Sequence, residues 1–136
     1  MITTYFKNLI MNEVFNTNSA TTTALPTKYY LAYSMVTPPD DGIGTGFAEP
    51  SASTGYARVE LTCLADAVNG GITNTENVVF NESIADQGIA TAYGVYDSLT
   101  DGHLLLFGAL QKPKTIEEGT TFFVRASQLN LTLSGI

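Results

Sequence analysis

From Tyr29 onward, apolar and polar positions alternate in short runs, and Gly, Pro, Asn and Asp fill the gaps between them. Alternation with a period of two marks half-buried β-strands, and the gap residues mark turns. In the run 28–35, Tyr29, Leu31, Tyr33 and Met35 share one face, and Tyr30, Ala32 and Ser34 share the other. Aromatic residues on both faces predict a strand covered on both sides, or one that meets a neighbour. The run 56–63 turns Ala57, Val59, Leu61 and Cys63 inward. It leaves Tyr56, Arg58, Glu60 and Thr62 outward, where Arg58 and Glu60 can pair. Val78 to Phe80 adds a short strand. Ile89–Tyr96, Leu104–Leu110, Phe122–Arg125 and Leu129–Leu133 predict four closing strands, punctuated by Asp101-Gly102, Pro113 and Glu118-Gly119. Asp97 to His103 predicts a hairpin loop between the first two of these.

The period changes at the start of the chain. Phe6, Leu9, Ile10 and Val14 recur at helical spacing, which predicts an amphipathic helix over 4–15 with Thr3 or Thr4 as N-cap. A helix of about three turns is marginal by itself, so its apolar face has to dock on its own body or on a neighbouring subunit. Asn16 to Pro26 reads as a polar connector. The chain therefore divides into a helical arm and connector over 1–26 and a body over 27–136. The expected fold is all-β: an antiparallel, jelly-roll-like β-sandwich preceded by a short N-terminal amphipathic helix. Val36 to Gly55 is the longest loop, and irregular loops beyond about 12–15 residues are usually interaction elements. The interface candidates are Phe6, Leu9, Ile10 and Val14 on the helix, Ile43 and Phe47 in this loop, and Tyr29 and Tyr33 on the first strand.

Composition narrows the function. The 136 residues fit one domain, and 44% of them are apolar. Only 14% are charged, against roughly 25% in ordinary soluble domains. Thr, Ser, Asn and Gly take up the difference, and a neutral polar surface is cheap to desolvate against neighbours. The net charge is −7. The cations Lys7, Lys28, Arg58, Lys112, Lys114 and Arg125 are scattered, with only Lys112 and Lys114 close together, which argues against nucleic acid and against an anionic membrane surface. No stretch approaches the ~20 apolar residues of a membrane span. Cys63 stands alone, so neither an internal disulfide framework nor a cysteine zinc site is expected. The opening residues lack the pattern of a secretory signal, which predicts synthesis and folding in a cytoplasm.

Chemistry is sparse. His103 is the single histidine, and a hydrolase would have only this turn residue as its base. No G-x-S-x-G elbow and no phosphate-cradling Gly loop occurs. Asp40, Asp41 and Glu49 share the long loop and could gather oxygens for Ca²⁺, but their spacing fits no EF-hand, and Pro-Pro-Asp-Asp-Gly reads better as a turn. No catalytic residue, cofactor or metal site is expected. The tyrosines at 29, 30, 33, 56, 93 and 96 read as core and subunit interface ahead of sugar contacts.

The order of pieces carries a resemblance. Asn12-Glu13-Val14-Phe15 is followed by Tyr30-Leu31-Ala32-Tyr33-Ser34 and Thr37-Pro38-Pro39-Asp40. The loop closes with Glu49-Pro50-Ser51 and Gly55-Tyr56-Ala57-Arg58-Val59. Gly94-Val95-Tyr96-Asp97, Leu104 to Thr115 and Leu129 to Leu133 continue the order. The chain resembles small virion structural proteins of tailed bacteriophages, described as tail-fibre-like or Gp80-like; Gln87 stands where that family often carries tryptophan. The resemblance implies a virion structural component without a location on the particle; the expected role is that of a non-enzymatic virion protein, made in the bacterial cytoplasm and associated with tail, fibre or baseplate. Its alternatives are capsid decoration, a head-fibre or neck protein, or a carbohydrate-binding module. The expected partners are other virion proteins and further copies of the chain (a trimer), with a host-surface glycan as the partner in the carbohydrate-binding alternative.

Overall fold

Helix α1, Thr4–Val14, starts where Thr3 can cap it: the Thr3 Oγ1 accepts the Phe6 N–H at 3.3 Å. The same hydroxyl faces the carbonyls of Leu104 and Leu105 at 2.8 and 2.9 Å, so the cap also ties the helix to the body. The computed structural model describes residues 1–16 and 24–133. Most of the expected polar connector lies outside the described residues.

The body is mostly β and antiparallel. Its strands are β1 Tyr30–Ser34, β2 Val59–Glu60, β3 Gly71–Thr73, β4 Val78–Glu82, β5 Gly88–Tyr96, β6 Leu104–Ile116, β7 Thr121–Val124 and β8 Asn130–Thr132. They form a four-stranded sheet in the order β2-β1-β5-β6 and two ribbons, β3-β8 and β4-β7. Residues 1–3 extend the sheet beyond β6: Ile2 bridges to Leu106, the Thr3 N–H donates to Leu105, and the Phe107 N–H donates to Met1.

The period-two pattern of β1 now has its reason. Leu31 and Tyr33 face a core shared with Val78 and Phe80 of β4, Val95 of β5, Ile116 of β6 and Phe122 of β7. Tyr33 is its centre, with ring centroids 4.8 Å from Phe80 and 4.7 Å from Phe122. The opposite face of β1, Ala32 and Ser34, is buried too. The long loop covers it: the Ala48 N–H donates to Ser34 Oγ at 2.8 Å, and the Met35 N–H donates to the Ala48 carbonyl at 2.9 Å. β1 is therefore covered on both sides, the first of the two arrangements its aromatic residues predict.

β3 is a strand that the alternation does not predict, β4 continues past Phe80 to Glu82, and two further boundaries differ more from the sequence expectation. β6 runs through Pro113 to Ile116 instead of stopping before it. The register explains this, since Ala92 pairs with Ala109 and Ala90 with Lys114, leaving residues 110–113 bulged opposite Thr91. Proline is tolerated where the ladder asks for no N–H. The run 56–63 forms only the two-residue β2, which pairs Val59 with Leu31 and Glu60 with Tyr30, while Arg58 just before it turns to Glu49.

Gly94 is the closest seat for the loop. A Cβ there would lie 2.8 Å from the Phe47 ring and 2.8 Å from a Leu104 methyl. Gly94→Ala should therefore destabilise the protein by about 1–3 kcal/mol through overpacking. A urea denaturation midpoint measures this; an unchanged midpoint would show that the loop leaves the sheet without cost.

Candidate functional site

Arg58 is the most heavily bonded polar side chain of the body. Its Nη2 and Nε donate to the Glu49 carboxylate at 2.7 and 3.0 Å, and its Nη1 donates to the Ser98 and Asp101 carbonyls, each at 2.7 Å. Its guanidinium carbon lies 3.5 Å from the Tyr96 ring centroid. The Tyr56 hydroxyl donates to the second Glu49 oxygen at 2.5 Å. The Arg58 side chain is only 8% exposed and that of Glu49 19%, so the pair is held away from solvent. Burial works against the Arg58 charge, and the Glu49 carboxylate more than restores it. Burial, then the bond to Glu49, pushes the Tyr56 phenol far above its ordinary value. The expected pairing of Arg58 with Glu60 is corrected: Glu60 lies beside Lys28 at 3.8 Å, and Arg58 turns inward. The signal that could have found this was a lone arginine amid tyrosines in a chain with few charges.

The remaining chemical candidates are dispersed. Asp41 closes a turn, its Oδ1 accepting the Ile43 and Gly44 N–H groups at 2.9 and 3.0 Å, while Glu49 serves Arg58. Asp41 and Glu49 thus have separate structural partners, and among the described residues no cluster of three metal-ligating side chains occurs. His103 is 57% exposed; its ring stacks on Tyr5 with centroids 4.0 Å apart, and its Nδ1 lies 3.2 Å from Asp97. Tyr5 was absent from the sequence expectations, and its contact fastens α1 to the β5–β6 hairpin. Burial outweighs the bond to Gln87 and pushes the Tyr33 phenol up to about 12.

The interface candidates fall into three settings. Tyr33 lies in the core, 1% exposed, and Leu9 is buried under α1. Phe6 and Tyr29 line an apolar groove of ≈ 340 Å³ together with Ile2, Ile72, Leu106 and Leu131. Ile10 is half-buried on α1, and Phe47 is half-buried beside Gly94 with its ring 5.8 Å from that of Tyr96. Val14 and Ile43 are exposed, at 56% and 69%. Two further apolar residues, Met11 and Phe15, are exposed next to Val14 at the end of the helix.

Comparison with known families adds one match. The model described as podophage GP4 fiber I protein gp80 aligns with residues 1–132, from the start of the chain to the end of β8. No curated protein matches.

Two outcomes test this geometry. Arg58→Lys keeps the charge but loses the fork that reaches Glu49 and two carbonyls at once, and should cost about 2–4 kcal/mol by chemical denaturation. The Asp41 carboxyl is held down at about 2, first by the Thr45 side chain and then by the Ile43 N–H. A carboxyl lowered on folding stabilises fully above its ordinary value of 3.8 and loses that contribution as pH falls through about 2. Amide protection at Ile43 and Gly44 should fade over that interval, and in Asp41→Ala it should be low at every pH.

Proposed function

We propose, for a chain that belongs to the podophage GP4 fiber I protein gp80 family, a non-enzymatic structural role in the phage particle. The family match over nearly the whole chain is the observation that carries this reading. The protein is a component of the virion, associated with its tail or fibre, where it contacts other virion proteins. In this reading the ribbon β4-β7 and the four-stranded sheet act as the two layers of a jelly-roll-like sandwich, a stiff body over 27–136. The arm over 1–26 supplies the contact.

The helix supports that contact surface. At about 100° per residue, Met11, Val14 and Phe15 fall together on the side of α1 roughly opposite Leu9. The inner face is taken up by its own body, and the outer face carries Thr4, Lys7 and Asn8 near its start and exposes Met11, Val14 and Phe15 at its end. Three large apolar side chains clustered in water at the end of a docked helix are best placed against a second copy. Phe15 lies nine residues beyond Phe6, about 14 Å along the axis, too far to enter its own apolar groove. A neighbour's groove can receive it. Such a contact joins two different patches and closes into a ring when the rotation allows. Three copies are the expected number.

Val14→Ser with Phe15→Ser should convert a sedimenting trimer into a monomer while changing stability by no more than about 0.5 kcal/mol. A wild-type protein that is already monomeric, or a double variant that still associates, would exclude the arm as the assembly surface.

A further inference from the structure

Half of the chain's six cations meet at one place. Lys112, Lys114 and Arg125 line a groove of ≈ 500 Å³ between the bulged part of β6 and the β7–β8 turn. The chain carries thirteen acidic residues, and none of them lines this groove. Elsewhere Arg58 is bonded to Glu49 and Lys28 lies beside Glu60, while Lys7 stands alone on α1, outside this groove. Among the described residues, Lys112, Lys114 and Arg125 form no ion pair. Three unpaired like charges raise a local positive potential on a protein of net charge −7.

The rest of the groove fits a polyhydroxylated ligand. Tyr93 lies along it, while Gln111, Gln128 and Asn130 bring amides that both donate and accept. An aromatic ring with neighbouring amides suits the apolar face and the hydroxyls of a sugar. The volume is within the range of about 300–1,000 Å³ usual for small-ligand sites. The groove shares no lining residue with the apolar groove at Phe6 and Tyr29, so the argument stands independently of the assembly surface.

We infer that this groove binds an anionic saccharide, one whose carboxylate or phosphate is held by Lys112, Lys114 and Arg125 while its hydroxyls meet the amides.

The test is titration of the full chain, followed by backbone amide shifts, with two pairs of probes: trigalacturonate against its methyl ester, and maltotriose phosphate against maltotriose. The charged member of one pair should bind, with shifts centred on Lys112, Arg125 and Gln128, and that pair identifies the anion as carboxylate or phosphate. The neutral members should bind weaker by about tenfold or more, as should the charged one to Lys112→Gln/Lys114→Gln/Arg125→Gln. Salt at about 1 M, where charges are screened beyond about 3 Å, should abolish the difference within a pair. If the triple variant fails to fold, Arg125→Gln alone and the salt series give the same reading. The inference fails if neither charged sugar binds, if the neutral sugars bind equally, or if pentaglutamate binds as tightly as the sugars. It also fails if the triple variant self-associates with its sugar affinity unchanged, because the cations would then only guard a strand edge.

Discussion

The Arg58–Glu49 pair fixes how the loop, the approach to β2 and the β5–β6 hairpin sit relative to one another. Its guanidinium spans segments that are distant in the chain, reaching the carboxylate of the long loop and two hairpin carbonyls. An ion pair this far from water contributes little net stability, because desolvation offsets most of the attraction. Its effect is on specificity. Any alternative placement of the loop leaves a charge buried without a partner, so only one arrangement is tolerated.

Two buried polar residues extend the same logic to the ribbons. Asn74, 1% exposed, donates to the Glu76 and Arg125 carbonyls and accepts the Leu129 N–H, which sets the turn between β7 and β8. Ser83 donates to carbonyls at Glu117 and Thr120 and fastens the end of β4 to the β6–β7 turn. Buried groups satisfied in this way make a body rigid, because moving either turn would strand them. The groove at Lys112, Lys114 and Arg125 shares that rigidity: Arg125 and Gln128 stand on the turn that Asn74 holds.

The helix proposed as the assembly surface has a rigid root. Residues 1–3 are joined to β6 by backbone bonds, and Thr3 caps α1 against the same strand, so the helix leaves the body at a fixed angle. A rigidly presented apolar stripe loses less entropy on docking than a loose tail would. This geometry supports a fibre component whose contacts are prepared before its neighbours arrive.

The β-rich body, the capped N-terminal helix, the Asp97–His103 hairpin and the burial of Leu31 were legible in the residue order, whereas Tyr33, expected as an interface candidate, lies in the core. Alternation, helical spacing and turn residues act within a few positions, and local sterics read them directly. Pro113 misled because a bulge is a property of two strands, visible only once Ala92 and Ala90 have chosen their partners. Arg58 misled for a related reason: alternation assigned it to the outer face, but a carboxylate nine residues earlier and carbonyls some forty residues later made the inside habitable for a charge. The convergence of Lys112, Lys114 and Arg125 was only half visible, as two neighbouring lysines. The sequence by itself determined which segments extend, which coil and where they turn. Only the tertiary structure decided which charges meet, because Coulomb energy and desolvation depend on distances that the chain acquires when remote segments are brought together.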